Sequence, residues 1–254
     1  MKTVVIGSGN LATHLSLALK ESGEEVVQIY SRTAEHAEAL SSRLGCHAAT
    51  SFGDIYDDAD VYVISVKDDA VSDVARRLCV RRSGSVVLHT AGSVPITALE
   101  GCGSHNAVLY PMQTFSKDRE IDFSCVPCFI EASDSHALSV VRSLATRLSD
   151  IVVEADSAKR RKLHLAAVFA CNLSNHCYRL AERILEDEGI DFTLFAPLIE
   201  ETAHKIRSMS PRLAQTGPMA RRDISVMDAQ LEMLSDPFMR DIYRLMAESI
   251  YRDS

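Results

Sequence analysis

The sequence predicts an α/β fold in which a doubly wound, mainly parallel sheet is followed by an all-helical domain. Three observations carry this reading. Short β-branched runs alternate with helical spacing through the first half of the chain, a glycine-rich turn joins the first run to the first helix, and β-branched runs stop after residue 156. Alternation of this kind marks parallel strands joined by crossover helices. Strands are expected at residues 3–6, 25–30, 46–48, 61–66, 85–89, 107–110, 128–131 and 151–154, with the first helix over 11–21. Residues 51–60 and 115–126 read as irregular connectors or short helices. From residue 157 helical spacing takes over, so the expected domains are 1–156 and 157–254. A helix from Ser157 to about Glu188 would span roughly 45 Å at 1.5 Å per residue, and Gly189 ends it. Further helices are expected over 192–209, 224–235 and 237–251, with Asp223 and Asp236 as N-caps.

The chain has 254 residues, 46% hydrophobic and 24% charged, which suffices for a buried core without disulfides or metals. With 27 basic and 35 acidic side chains the net charge is −8, which argues against a general nucleic-acid or anionic-membrane surface. The longest apolar run, residues 165–171, falls well short of the roughly 20 residues of a membrane helix. Met1 and Lys2 lead directly into a strand, leaving no room for a signal peptide, and the seven scattered cysteines suit reduced thiols better than a disulfide framework. A cytoplasmic protein is expected.

Gly7-Ser8-Gly9-Asn10-Leu11-Ala12 reads G-x-G-x-x-A between a predicted strand and a predicted helix. The first glycine permits the tight turn, the second lets a pyrophosphate approach the backbone, and Ala12 allows close helix–strand packing. Free N–H groups at the helix start would hold the phosphates. An ordinary glycine turn is the simpler alternative, but the context favours a dinucleotide. The second strand ends in Tyr30-Ser31-Arg32-Thr33, with no carboxylate at the tip. Ser31, Arg32 and Thr33 suit a 2′-phosphate, so NADP is favoured over NAD; Glu35 reaching back would reverse that.

Ligands of open α/β sheets lie beyond the carboxyl ends of the strands. Those ends carry Ser65 and Val66 followed by Lys67-Asp68-Asp69, His89-Thr90-Ala91-Gly92-Ser93, and Tyr110-Pro111-Met112-Gln113-Thr114-Phe115. Loop capping accounts for Asp68 and Asp69 but less well for His89, which ends an apolar strand and needs a partner or a ligand. On the long helix, Arg160, His164, Asn172 and His176 fall on one i, i+4 series, broken by Val168. Among apolar neighbours such groups need hydrogen bonds, either within a core or interface or toward a substrate, with His164 exchanging a proton and Asn172 orienting a polar atom. Gln215-Thr216-Gly217-Pro218 with Arg221 and Arg222 is either a solvated turn or a cationic loop for an anionic group. Cys125-Val126-Pro127-Cys128 lacks a second pair at zinc spacing, and His14, His36 and His136 form no metal constellation.

With Val5-Ile6-Gly7-Ser8-Gly9-Asn10-Leu11-Ala12, Tyr110-Pro111-Met112-Gln113-Thr114-Phe115-Ser116, Leu163-His164-Leu165-Ala166-Ala167-Val168-Phe169-Ala170-Cys171-Asn172, Pro197-Leu198-Ile199-Glu200-Glu201-Thr202 and the 215–223 loop, the chain resembles the predicted short-subunit dehydrogenase-like oxidoreductases. These join a Rossmann-like N-terminal domain to a helical C-terminal domain of unknown function. The resemblance implies an architecture similar to 6-phosphogluconate dehydrogenase, prephenate dehydrogenase and pyrroline-5-carboxylate reductase. It implies that a long helix lines the active cleft and that subunits pair as a homodimer through their helical domains. It raises His164 and Asn172 as catalytic residues and Thr216 and Arg221 as substrate contacts, beside His89 and Gln113. Two departures stand out: Gln230 occupies a position where relatives often carry histidine, and Val168 replaces the lysine expected four residues before Asn172 in hydroxyacid dehydrogenases. The expected function is therefore NADP-dependent hydride transfer to or from a small carbonyl, alcohol or imine. An NADP(H)-binding regulator without turnover is the alternative, and a zinc-dependent hydrolase on the same scaffold is a third.

Overall fold

The computed structural model describes residues 1–78 and 80–253. By packing the chain forms two compact units, Met1–Asn172 and Leu173–Ser254.

The first unit is built on eight strands: β1 (Lys2–Ile6), β2 (Glu25–Tyr30), β3 (His47–Ala49), β4 (Val61–Ile64), β5 (Val86–His89), β6 (His105–Pro111), β7 (Cys128–Ala132) and β8 (Val152–Glu154). Helices α1 (Asn10–Glu21), α2 (Ala34–Leu44), α3 (Val71–Arg77) and α4 (Ser135–Leu148) lie between them, and α5 (Ser157–Ala167) follows β8. The sheet order is β3-β2-β1-β4-β5-β6-β7-β8, parallel from β3 to β6. The order reverses between β1 and β4, which opens a crevice at their carboxyl ends. β7 runs antiparallel to β6. Parallel pairing needs a long crossover, usually helical, whereas only one short 3₁₀ turn, Phe123–Cys125, interrupts the 112–127 connection. α4 supplies such a crossover from β7, and β8 is parallel to β7.

Both faces of the sheet are covered, so successive strand residues serve different cores. Val5, Val63, Leu88 and Leu109 pack with Leu15 and Leu19 of α1 and Val141 and Leu144 of α4. Val4, Ile6, Tyr62, Ile64 and Val87 pack on the other face with Val71 and Leu99. Near-continuous apolar runs are what a sheet buried on both faces requires. Asp134 caps α4 through Ala137 N (3.0 Å), and Asp156 caps α5 through Lys159 N (2.7 Å).

Helical hydrogen bonding continues past α5, but Val168–Leu173 form a π-helical turn. The second unit comprises α6 (Ser174–Glu186), α7 (Ala196–Lys205), α8 (Pro211–Ala214), α9 (Ile224–Met233) and α10 (Pro237–Asp253). Gly189, with φ +65°, lies just past α6. The expected helix over 192–209 is shorter, a 3₁₀ turn over Phe192–Phe195 followed by α7. Asp223 and Asp236 cap α9 and α10 as expected. Arg183 pairs with Asp236 (3.1 Å), and Tyr243 donates to Gln230 Oε1 (2.6 Å).

Among the described residues strands end at Glu154 and only helices follow, whereas the packing division falls at Asn172. α5 groups with the sheet because its side chains bond to the β5, β6 and β7 segments, as described below. Six cysteines are free, and Cys79 lies outside the described residues. Among the described residues, no helix is long and apolar enough to cross a membrane, and no group of three or more His, Cys, Asp or Glu is placed to hold a metal ion.

Candidate active site

The turn after β1 is held by its own backbone. Gly7 has φ +132°, its N–H donates to Tyr30 O (2.8 Å), and a Cβ there would lie 2.0 Å from Ser65 O. Only glycine fits between these strand ends. Gly9 is different. Its φ is −73°, and a Cβ there would meet nothing within 4 Å. It precedes α1, whose start has no side-chain cap and no acid in its first turn. The first N–H groups of a helix lack intrahelical partners, and the helix dipole adds partial positive charge there. Open space before uncapped N–H groups fits a phosphate.

Around this turn the structure brings the predicted binding residues together. Ser8 Oγ donates to Ser31 Oγ (2.9 Å), which also accepts from Thr33 N (3.4 Å). Arg32 and Thr33 are exposed, Leu11 is partly buried against the sheet core, and Val66 lies against Gly7. Ser65 is buried and accepts from Thr90 Oγ1 (3.1 Å). Asn10 Nδ2 donates to Phe115 O (2.8 Å), and His14 bonds Ser116 O through Nε2 (2.9 Å) with its ring 5.5 Å from Phe115. The β6–β7 connection is thus fastened across the first turns of α1. In the sequence His14 has no metal-ligating neighbours to mark it, and its backbone partner lies 102 residues away.

A second cluster gathers at the ends of β5 and β6. Tyr110 OH and His164 Nδ1 are 3.0 Å apart, with the rings edge-on at 5.8 Å between centroids. Gly92 makes this possible, since a Cβ there would fall 2.6 Å from His164 Nδ1 and 2.9 Å from Tyr110 Cζ. Ser93 Oγ donates to Asp68 Oδ2, so Asp68 reaches across to the β5 loop instead of capping its own turn. Burial raises the Tyr110 phenol above its ordinary pKa, and the Asp68 carboxylate adds to this while Arg160 opposes it. The phenol is therefore a proton-bearing group at neutral pH.

Arg160 and His89 lie beneath this cluster. Arg160 is 0% exposed; it pairs with Glu131 and donates to Val94 O and Ser157 Oγ, tying α5 to β7 and to the β5 loop. His89 is also 0% exposed, and its Nδ1 accepts from Ala91 N (3.1 Å). Burial, followed by the Arg160 charge, lowers its pKa to about 4, so it is neutral at pH 7. His89 thus supports the loop from below and has no open surface for a substrate.

Gln113 is exposed, and its Oε1 accepts from Thr114 N (2.8 Å). Asn172 is exposed on the π turn. The wider i→i+5 turn displaces later positions by about one residue relative to a regular helix, so the i, i+4 alignment of Asn172 with His164 does not hold. In the helical unit, Thr216 and Arg221 are exposed in the α8–α9 loop, which turns at Gly217 (φ +103°) and Arg222 (φ +54°). Arg222 stacks on Tyr251 at 4.5 Å and bonds its hydroxyl (3.1 Å).

Tyr110 and Gly92 are the residues that sequence reasoning missed. Their signals were a tyrosine at a predicted strand end and a glycine in the following loop of a neighbouring strand.

Comparison with known proteins agrees with this architecture. Residues 2–92 match a family described as NADP oxidoreductase coenzyme F420-dependent, and residues 126–250 match a domain of unknown function, DUF2520. A search of curated proteins finds no match. Among solved structures, a "putative NADP oxidoreductase" from Bacteroides fragilis is 42% identical, with TM-score 0.94 over 99% of this chain and 98% of that one. A reductive aminase from Aspergillus terreus, solved with NADPH and ethyl levulinate, shares the fold at 16% identity (TM-score 0.72, 100% and 94% covered). So does an imine reductase from Myxococcus stipitatus, solved with NADP+, at 20% identity (TM-score 0.63, 99% and 92% covered). The expected label of short-subunit dehydrogenase-like oxidoreductase is imprecise, because the matching families carry other descriptions. With 42% identity across nearly all of both chains, this chain belongs to the family of the Bacteroides fragilis protein, in which an NADP oxidoreductase domain precedes a DUF2520 domain.

Proposed function

We propose that this protein is an NADP-dependent oxidoreductase that moves a hydride between nicotinamide and a small carbonyl, alcohol or imine. The observation that carries it is the uncapped start of α1 behind Gly9, where a side chain would enter open space. Family membership supports the same reading. Gly7, Ser8, Gly9, Asn10 and Leu11 hold the diphosphate, Ser31, Arg32 and Thr33 the 2′-phosphate, and Ser65 and Val66 flank the nucleotide. The bound nicotinamide supplies the hydride chemistry. His164 exchanges a proton with the reacting oxygen or nitrogen; an orienting role for Asn172 rests on the resemblance alone, since the π turn takes it off the line of His164. Gln113, Thr216 and Arg221 are substrate contacts, the last two on the strength of the resemblance, while His89 acts from beneath the site. Free cysteines suit the cytoplasm.

The test is a screen of carbonyl and imine compounds with NADPH deuterated at the transferring carbon. Label should reach a product, and His164→Gln should lower turnover at least tenfold with NADPH affinity retained. NADPH binding without label transfer to any compound would favour the regulatory alternative.

A further inference from the structure

Tyr110 and His164 are 54 residues apart in sequence, yet the phenol oxygen lies 3.0 Å from the imidazole Nδ1. Either group is able to donate in such a pair. Burial decides between them: Tyr110 is only 8% exposed and holds its proton, whereas His164 is partly open. If the imidazole donated, the phenol proton would have no other acceptor among the described residues, and an unmet buried donor costs more than an unused lone pair. Donation from the phenol leaves Nδ1 as acceptor and requires the ring proton on Nε2. A Cβ at position 92 would fall 2.6 Å from Nδ1 and 2.9 Å from Cζ, so only glycine there lets the two groups meet.

We propose that Tyr110 is a positioning residue that donates to His164 Nδ1, holds the imidazole in its Nε2–H form, and so presents an N–H to the substrate's acceptor atom. The tautomer follows from the 3.0 Å contact together with the burial of Tyr110; its use on substrate rests on the oxidoreductase reading. A neutral N–H donor matches the lone pair of a carbonyl oxygen or an imine nitrogen; with a carbonyl substrate the acceptor is the oxygen. As hydride reaches carbon, the developing alkoxide takes the Nε2 proton and Tyr110 passes its own to Nδ1. The ring remains neutral, and the phenolate regains a proton from water. An alkoxide is far more basic than a phenolate, so the transfer is downhill even with a raised phenol pKa.

Nitrogen-15 NMR of histidine-labelled protein without nucleotide tests the tautomer, with His164→Gln identifying the signal. His164 should carry its proton on Nε2 in the wild type. Tyr110→Phe keeps the ring that packs against Phe129 and should shift the signal toward a mixture of tautomers. With the product-forming carbonyl from the deuterium screen, Tyr110→Phe should lower kcat at least tenfold while KM for NADPH stays within twofold. A wild-type proton on Nδ1 would overturn the proposal, as would a phenylalanine variant with unchanged tautomer and kcat. Failure of NADPH to bind would remove the oxidoreductase reading while the NMR result still decides the tautomer.

Discussion

Gly7 and Gly9 stand two residues apart in one motif and do different work. At Gly7 the chain needs φ +132° and has a carbonyl oxygen within 2.0 Å of any Cβ, so Gly7→Ala should prevent stable folding. At Gly9 the backbone is ordinary and the space is open, so Gly9→Val should leave the thermal midpoint within a few degrees of wild type while NADPH affinity falls at least a hundredfold. Calorimetry on the two variants separates the roles. Equal affinity in Gly9→Val and wild type would mean that no diphosphate approaches this backbone. The glycine spacing was legible in sequence because the turn and the phosphate cradle share one short window. Tyr110 was not, because a tyrosine closing a strand is unremarkable until its partner is known. His89 stands out for its polarity, and the fold meets half of it: Nδ1 accepts from Ala91 N, while Nε2 is buried without a partner among the described residues.

At the scale of elements, α5 joins the sheet through the buried Arg160, which grips Glu131 of β7 and the Val94 carbonyl of the β5 loop. Ser157 reinforces the grip by donating its N–H and hydroxyl to Glu131 (both 2.9 Å). Removing one member of a buried ion pair costs about 3–5 kcal/mol, so Arg160→Met should lower unfolding free energy by about that much in urea titration. Because α5 carries His164, turnover should fall with it, and adding Glu131→Gln should restore part of the stability. No loss in Arg160→Met would mean the clamp is dispensable. Sequence spacing placed Arg160, His164 and Asn172 on one polar stripe. The fold divides them: Arg160 serves the core, His164 meets Tyr110, and the π turn rotates Asn172 away from their line. A regular 3.6-residue period was assumed through a segment that does not keep it.

For the whole molecule, the helical unit raises the question of what covers its apolar side chains. Leu213, Leu245 and Phe238 are 76%, 73% and 72% exposed, and α10 contributes only Met239 and Ala247 to burial. Apolar exposure of this extent marks an interaction surface, and the proposed occupant is a second copy of the chain. Sedimentation at micromolar concentration should show a particle of two chains, and Leu245→Glu should shift it toward one. A wild-type monomer would rule the homodimer out. Local sequence is enough to place β1 to β8 to within a few residues, along with the phosphate-type turn, the change to helices after residue 156 and the caps at Asp223 and Asp236. Each of these depends on hydrogen bonds and periodicity within a few neighbouring residues. Long-range packing sets the antiparallel course of β7, the hold of Asn10 and His14 on the Phe115–Ser116 backbone, and the meeting of His164 with Tyr110 over Gly92. Those pairings join residues tens of positions apart, and they depend on strand order and close packing that no local pattern encodes.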